Sequence, residues 1–255
     1  MTHSKRIFGN QCVFAMAVLA ALATPVLAQQ GNIQSLYIHT IKQDRVADYL
    51  AAEKEIVAIA KKSGLNHYFT QWASLTGPPE FVVVQNFSKW GDQDLGTPDG
   101  LKEYQADLQR IMARISPSEE GIHRIIEEVL PEYSLPSNGE TPKMIRTLLT
   151  KVRPDKVNEY LALWKSEVLP AAKKSGLTYF SLAQVRYGAP STEFVSVAGL
   201  NSWADLDGGF GVEKAMGKEG YQSFLTRIRP FIVESEYNLY RFLPDLSYLP
   251  APAGK

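Results

Sequence analysis

One stretch of this sequence occurs twice, and the duplication limits the possible folds more than any other feature. Residues 44–50 read DRVADYL and residues 155–161 read DKVNEYL, while residues 61–65 and 173–177 both read KKSGL. The offset between the copies is 111 at the start (155 − 44) and 112 at the end (173 − 61). A repeat of about 110 residues is domain-sized, which predicts two domains of one kind rather than a solenoid of short units.

Each copy has the same predicted order of elements: strand, helix, two strands joined by a short turn, helix and strand. The turns are rich in glycine and proline, at 77–79 and 188–190, and the runs beside them have strand composition. The predicted strands cover 34–41, 65–72, 80–87 and 122–129 in the first copy, and 144–151, 177–186, 193–200 and 233–242 in the second.

The first helix of each copy carries signals at both ends. Asp44 and Asp155 come just before the periodic apolar run, where we expect each side chain to cap the helix N-terminus. Gly64 and Gly176 follow the run and predict left-handed C-terminal caps. Pro170 occurs only in the second copy, so we expect a kink or a break in that helix alone.

This order predicts an α+β fold made of two tandem ferredoxin-like (βαββαβ) domains. The first would cover 33–134, a linker rich in proline, serine and glycine would cover 135–142, and the second domain would cover 143–248. The helices of such a domain cover one face of its sheet and leave the other face bare. Two copies in one chain can bury both bare faces by packing them together as an intramolecular α+β barrel.

The N-terminus has the pattern of a secretory leader. Lys5 and Arg6 precede an apolar run at 13–23, which is shorter than the roughly 20 residues needed to span a bilayer. Small residues at 26 and 28 suit a cleavage site, which predicts a leader at 1–28 and an exported protein, periplasmic or extracellular. An uncleaved membrane anchor is the alternative. After cleavage, no further apolar run of membrane-spanning length follows.

Charge and cysteine content exclude two classes of function. Removing Lys5 and Arg6 leaves 25 basic residues (27 − 2) against 27 acidic ones, so no basic surface for nucleic acid is expected. The single cysteine, Cys12, lies in the predicted leader, so the mature chain would have no thiol for catalysis or metal binding.

Three shared motifs resemble those of the dimeric α+β barrel superfamily, which includes antibiotic-biosynthesis-monooxygenase-like and NIPSNAP-like domains. They are the Asp-x-Val-x-x-Tyr-Leu helix start, the Ser-Gly-Leu turn, and a Trp-x-Asp-x-Asp segment at 90–94 and 203–207. The resemblance implies that two domains pair, usually as a homodimer, with a pocket on the bare sheet face. The superfamily contains cofactor-free monooxygenases, haem enzymes, isomerases and dehydratases, so the likeness does not select one reaction.

Three histidines follow the predicted leader, and all lie in the first copy. His39, His67 and His123 correspond by offset to Thr150, Tyr179 and Glu236, so any site would be asymmetric. His39 and His67 are the candidate acid–base catalysts, and a haem would need one of the three histidines as its ligand. Alternatively, each histidine makes only a local hydrogen bond, because no metal-ligand spacing is present and no metal is expected. The identity of any cofactor is left open.

Strand alternation suggests which residues would line a pocket. Leu36 and Ile38 share the more uniformly apolar face of the first strand and are expected to meet the helices. Tyr37, His39 and Arg146 would then lie on the bare face, where they could bind an acidic or carbonyl-bearing ligand. Further candidate ligand-binding residues are Trp72, Tyr179 and His123. A core or interface role is the alternative for each.

Two functions remain open from the sequence, and a structural role without a ligand is a third possibility. The first is an exported small-molecule binding or accessory protein. The second is a cofactor-independent monooxygenase-like enzyme acting on a small aromatic or carbonyl compound. The chain would be either a monomer containing an intramolecular pseudo-dimer or a homodimer.

Overall fold

The computed structural model describes residues 31–65, 67–94, 99–137 and 139–249, and the predicted leader lies outside these residues. The first repeat contains β1 (Ile33–Ile41), α1 (Val46–Lys62), β2 (Phe69–Ser74), β3 (Glu80–Phe87), α2 (Asp99–Lys102), α3 (Gln105–Ile115) and β4 (Glu119–Val129). The second repeat contains β5 (Met144–Val152), α4 (Val157–Leu163), α5 (Leu169–Ser175), β6 (Phe180–Tyr187), β7 (Glu193–Leu200), α6 (Gly211–Met216), α7 (Lys218–Ile228) and β8 (Ile232–Phe242).

The eight strands form one closed barrel in the order β1-β3-β2-β8-β5-β7-β6-β4. Every neighbouring pair is antiparallel, and the repeats are joined by the short β2–β8 and β4–β6 pairings. Each repeat supplies half of the barrel, with its helices packed on the outside. The predicted α+β class and the packing of two ferredoxin-like repeats into one barrel are confirmed.

Strand registers define which residues of the two repeats are equivalent. Gln34 pairs with Glu127 in the first repeat, and Ile145 pairs with Tyr240 in the second, at offsets of 111 and 113. Phe69 opposite Gln85 corresponds in the same way to Phe180 opposite Ala198. Tyr179 is therefore equivalent to Tyr68, and the sequence alignment that matched Tyr179 with His67 was one residue out of register.

A π-turn explains why the offset between the repeats grows by one along the first helix. The first repeat has one continuous helix, α1, whereas the second has α4, a π-turn at Trp164–Val168 and α5. A π-turn accommodates one extra residue in a helix, and this one ends at Val168, directly before α5, whose second residue is Pro170. The predicted interruption is thus present only in the second repeat, but as a π-turn rather than as a break.

The glycine caps are found as predicted, whereas the aspartate caps are not. Gly64 and Gly176 have φ angles of +60° and +76°, the left-handed conformation that glycine adopts without strain. Asp44 and Asp155 instead lie within short 3₁₀ turns that precede α1 and α4, and neither helix has a side-chain N-cap. The 3₁₀ turns themselves start the helices, so a side-chain cap is not needed there.

Candidate functional site

The barrel encloses a cavity of about 210 Å³ between its two half-sheets. The walls come from alternate residues of the strands, including Leu36 and Ile38 on β1 and Ile145 and Leu149 on β5. Pro142, the last residue of the predicted inter-repeat linker, also lines the cavity. Most of the wall surface is apolar, so the cavity is suited to an apolar molecule.

The predicted orientation of the first strands is wrong. Leu36 and Ile38 face the cavity, whereas Tyr37, His39 and Arg146 lie on the side of the sheet that meets the helices. Alternation correctly groups residues that share a face, but it does not say which face is inside. Both faces of these strands are covered, and the more uniformly apolar face is the one inside the barrel. The prediction had placed that face against the helices.

Glu127 on β4 is the one acidic side chain buried in the cavity wall among the described residues. Its exposed fraction is 2%, and its Oε2 atom has no hydrogen-bond partner. Burial raises the pKa of Glu127 to about 8, so the carboxyl group is mainly protonated at pH 7. A buried polar atom without a partner is rare in folded proteins and marks a site where a ligand could supply one.

Several other polar side chains of the wall already have hydrogen-bond partners. Gln34 Nε2 donates to Asn86 Oδ1 at 2.7 Å, and Trp72 Nε1 donates to Thr70 Oγ1 at 3.1 Å. On the opposite wall, the Tyr240 hydroxyl donates to Glu80 Oε1 at 2.6 Å. These pairs leave the carboxyl group of Glu127 as the principal unmet hydrogen-bonding group of the cavity.

Tyr179 extends the polar part of the cavity next to Glu127. Burial raises the pKa of the Tyr179 hydroxyl, and the nearby Glu127 carboxylate adds to the shift. Ser181 Oγ donates to the Tyr179 hydroxyl at 3.4 Å. Tyr179 therefore remains a neutral hydroxyl at pH 7, able to donate a hydrogen bond to a ligand.

Repeat divergence makes the cavity asymmetric. Glu127 is equivalent to Tyr240, and Trp72 is equivalent to Ala183 by the strand registers. The first repeat thus supplies both a large indole ring and an acid, whereas the second supplies a methyl group and a phenol. A bound molecule would meet two different walls and adopt one preferred orientation.

His39 lies outside the cavity, in a buried polar cluster under α1. Its Nδ1 atom is 2.7 Å from Glu119 Oε1, and its ring packs 5.8 Å from that of Tyr49. In the same cluster, Gln71 Nε2 donates to the Tyr49 hydroxyl at 3.0 Å, and Glu53 is 6% exposed. Burial raises the pKa of Glu53 to about 7. His39 therefore lies on the side of the sheet away from the cavity.

The remaining sequence candidates are spread over several places. Trp72 and Tyr179 line the cavity. His67 precedes β2 and packs 5.5 Å from the Phe87 ring, and His123 is exposed on β4. Arg146 lies between the Phe210 and Tyr237 rings. The structure therefore does not bring the seven candidates together into one site.

Arg146 belongs to a smaller cleft of about 90 Å³ between the sheet and the helices of the second repeat. Its guanidinium group lies 4.1 Å from the ring centre of Phe210 and 4.2 Å from that of Tyr237. Glu213 Oε1 accepts a hydrogen bond from it at 3.5 Å. Cation–π contacts and an ion pair already occupy this arginine, which gives it a structural role beside α6.

The cavity does not suit a haem group. Its volume lies below the roughly 300–1,000 Å³ range of ordinary ligand pockets, and no histidine is among the described residues that line it. Within the described part of the chain, no group of three or more histidine, cysteine, aspartate or glutamate side chains is arranged to hold a metal ion. Over the same residues, no helix has the length and apolar character required to cross a membrane.

Glu127 is the functional candidate that sequence reasoning missed. It is one of four glutamates on β4, with Glu119, Glu120 and Glu128, and only its burial distinguishes it from an ordinary solvent-facing residue. One usable signal was present: Glu127 shares strand parity with Ile125, so both face the same side of the sheet. Its burial also requires β6 from the other repeat, which local sequence does not reveal.

Comparison with solved structures identifies the same fold in proteins of low sequence identity. A candidate monooxygenase from Fusobacterium nucleatum is 12% identical, with a TM-score of 0.58 over 87% of this chain and 95% of that chain. An anthrone oxidase-like protein is 13% identical, with a TM-score of 0.59 over 85% of this chain and 93% of that one. A NIPSNAP family protein from Agrobacterium tumefaciens is 22% identical over 38% of this chain and 89% of that one, with a TM-score of 0.32.

The first two similarities confirm the fold that the sequence motifs predicted. Identities this low show a common fold and do not transfer an activity. No family model matches the sequence, and no curated protein matches it. The chemistry of this chain must therefore be inferred from its own cavity.

Proposed function

We propose that this chain, which has the dimeric α+β barrel fold as a tandem duplication, binds one small, largely apolar molecule inside its barrel. The observation that supports this proposal is the cavity of about 210 Å³ in the barrel, with the unpartnered Oε2 atom of Glu127 in its wall. An empty apolar cavity and a buried polar atom without a partner both lower stability. A ligand that filled the space and met Glu127 would offset both costs.

The volume sets the size of the molecule. A cavity of about 150 Å³ is enough to hold benzene in a protein core. The cavity here is larger, at about 210 Å³, which suits a compound of one or two rings. A rigid three-ring compound would require the wall to move, and a closely packed wall resists such movement.

A series of methyl ketones with one, two and three fused rings tests the binding proposal. We expect acetophenone and 1-acetylnaphthalene to bind the mature protein, and 9-acetylanthracene to bind much more weakly, when each is titrated by calorimetry. Val197→Phe adds a ring to the cavity wall and should abolish binding. Val233→Phe, at an exposed position, is the matched control and should bind as the wild type does. Equal affinities in the two variants would contradict the proposal.

A second candidate function is cofactor-independent oxidation of the same kind of ligand. A buried carboxyl group with a raised pKa can serve as a general base, and the fold is shared with the candidate monooxygenase and the anthrone oxidase-like protein. Glu127 would remove a proton from an activated CH₂ group. The resulting carbanion would react with dioxygen, converting CH₂ and O₂ into C=O and water.

Oxygen uptake separates the enzyme from the binding protein. If the chain is an enzyme, aromatic ketones with an activated CH₂ group should consume dioxygen, and Glu127→Gln should abolish uptake while leaving binding measurable. His39→Ala should keep the activity, because His39 lies on the other side of the sheet. Binding of these ketones without oxygen uptake would support the binding function and contradict the enzymatic one.

Export is part of the proposal, and its support is the leader pattern at 1–28. The mature protein would begin near Gln29 and act in the periplasm or outside the cell. Mass spectrometry of the protein recovered from a periplasmic extract should give a chain that lacks residues 1–28. A full-length chain in the membrane fraction would indicate an uncleaved anchor instead.

A further inference from the structure

The charge balance of the cavity wall restricts the chemical class of the ligand, an inference that rests on the proposed binding function. Among the described residues that line the cavity, there is no lysine, arginine or histidine. The titratable groups that line it are Glu127 on β4, Tyr179 directly before β6, Tyr240 on β8 and Glu140 in the linker. All four are acids, so nothing in the wall can balance a negative charge on a ligand.

The hydrogen-bonding inventory of the wall adds a second restriction. Tyr240 is equivalent to Glu127 in the other repeat, but its hydroxyl is occupied by Glu80. Gln34 and Asn86 are bonded to each other. Glu127 alone of this set has a buried oxygen without a partner, so it is the group that a ligand must satisfy.

An uncharged carboxyl group is the form that such a wall favours. A carboxylate in an apolar enclosure without a cation is strongly disfavoured, whereas the neutral acid is tolerated there. The neutral acid carries one O–H donor, and Tyr179 offers another beside it. A ligand therefore meets two donors and no cation.

We propose that the cavity selects uncharged molecules with a hydrogen-bond acceptor, such as an aryl ketone or quinone, and that protonated Glu127 donates the bond that holds them. Carboxylate ligands are excluded because they would place a second acid beside Glu127 in a space without a cation. Trp72 and the aliphatic wall would hold the ring, and the carbonyl oxygen would point to Glu127 and Tyr179.

Three probes of nearly equal size and different charge test this inference: acetophenone, benzoate and benzylamine. At pH 7 we expect acetophenone to bind at least about tenfold more tightly than benzoate, as measured by calorimetry. Acetophenone affinity should be constant from pH 5 to 7 and then fall by up to about tenfold per pH unit once Glu127 ionises. Benzoate binding as tightly as acetophenone would overturn the inference and leave the binding function intact.

Two variants show whether Glu127 is responsible. Glu127→Gln keeps a neutral donor, so acetophenone should bind within about threefold of wild type, without the loss of affinity above pH 8. Glu128→Gln is the matched control, since Glu128 follows on the same strand and pairs with Arg186 outside the cavity; it should keep the wild-type pH profile. An unchanged profile in Glu127→Gln would overturn the assignment of Glu127.

The other outcomes are also decisive. If benzylamine binds best, with an affinity that rises with pH up to about 8, then Glu127 acts as a carboxylate for cations and the inference is wrong. If no ketone of any size binds, the proposed binding function itself fails.

Discussion

The space between the sheet and the first helix is filled differently in the two repeats, although the strands that border it are equivalent. Under α1 it holds a polar cluster, and under α4 the equivalent positions are mostly apolar. The equivalent pairs are His39 and Thr150, Tyr49 and Tyr160, Glu53 and Trp164, Gln71 and Leu182, and Glu119 and Ile232. The tyrosine is kept, whereas the four positions that are polar around it in the first repeat are exchanged.

The kept tyrosine shows what the fold itself requires. Tyr49 packs 4.7 Å from the ring of Phe81, and Tyr160 packs 5.1 Å from the equivalent Phe194. In the second repeat Trp164 completes this cluster by stacking on Phe180 at 5.6 Å. The aromatic pair is thus the common packing unit, and the residues beside it are free to be polar or apolar as long as the volume is filled.

We expect the polar version to be the less stable of the two, because one of its buried polar atoms has no hydrogen-bond partner. Gln71 Oε1 is buried without a partner, and Glu53 is buried as an acid. Buried groups of this kind cost about 1–3 kcal/mol each when unpaired. We therefore expect the two interfaces to respond in opposite ways to matched substitutions.

The largest expected effect on the free energy of unfolding comes from truncating the helix side chain that is Glu53 in the first repeat and Trp164 in the second. Trp164→Ala leaves a cavity in the apolar interface and should lower the free energy of unfolding by about 3–5 kcal/mol. Glu53→Ala removes a buried acid and should change it by less than about 2 kcal/mol. Urea denaturation at pH 7 measures both, and equal losses would contradict the contrast between the repeats.

The pH dependence of stability should come from the first repeat. The pKa of Glu53 is raised from 4.5 to about 7 in the folded chain, so its contribution to stability is present below pH 4.5 and is lost as the pH rises to 7. As the pH rises between these values, the free energy of unfolding of the wild type should fall by about 3 kcal/mol relative to that of Glu53→Gln. Denaturation at pH 5 and 7.5 checks this; the exposed control Glu120→Gln should follow wild type.

The His39–Glu119 pair should show a smaller effect that is reversed by a second change. His39→Thr installs the residue of the other repeat, leaves Glu119 buried without its 2.7 Å partner, and should cost about 1–3 kcal/mol. Adding Glu119→Ile should restore most of the loss. A double-mutant cycle measures the coupling, and additive losses would mean that the pair contributes no specific energy. Ligand binding in the barrel should be unchanged throughout.

Substitutions at the starts of α1 and α4 should have the smallest effect on stability. Neither Asp44 nor Asp155 caps its helix, so Asp44→Ala and Asp155→Ala should each change the free energy of unfolding by less than about 0.5 kcal/mol. A real side-chain cap would cost about 1 kcal/mol on removal. A loss of that size in either variant would show that the carboxylate bonds the helix end in solution.

The parts of the fold that depend on chain-local signals were predictable. The third strands were placed at their observed limits, 80–87 and 193–200, because turns flank them closely. The change of offset from 111 to 112 already signalled an extra residue in the second helix, although not the π-turn that absorbs it. The closed barrel followed from the need to bury two bare sheet faces.

The site was not predictable, because its defining properties arise between the repeats. Histidines drew attention in the sequence, but His39 faces α1 and His123 is exposed. Glu127 becomes unusual only when β6 of the other repeat closes the wall beside it. Trp72 and Tyr179, two of the candidate ligand-binding residues, line the cavity, while their role in binding stays a prediction.

The equivalence of Glu127 and Tyr240 has a consequence for how such a chain can diverge. Two identical copies of the first repeat, assembled around the same axis, would bring two carboxyl groups into one dry enclosure. In a fused chain the two repeats need not be identical, because a substitution in one repeat leaves the sequence of the other unchanged. The joined chain can thus keep a single proton and a single binding orientation per barrel, a stoichiometry that a symmetric pair of subunits could not reach.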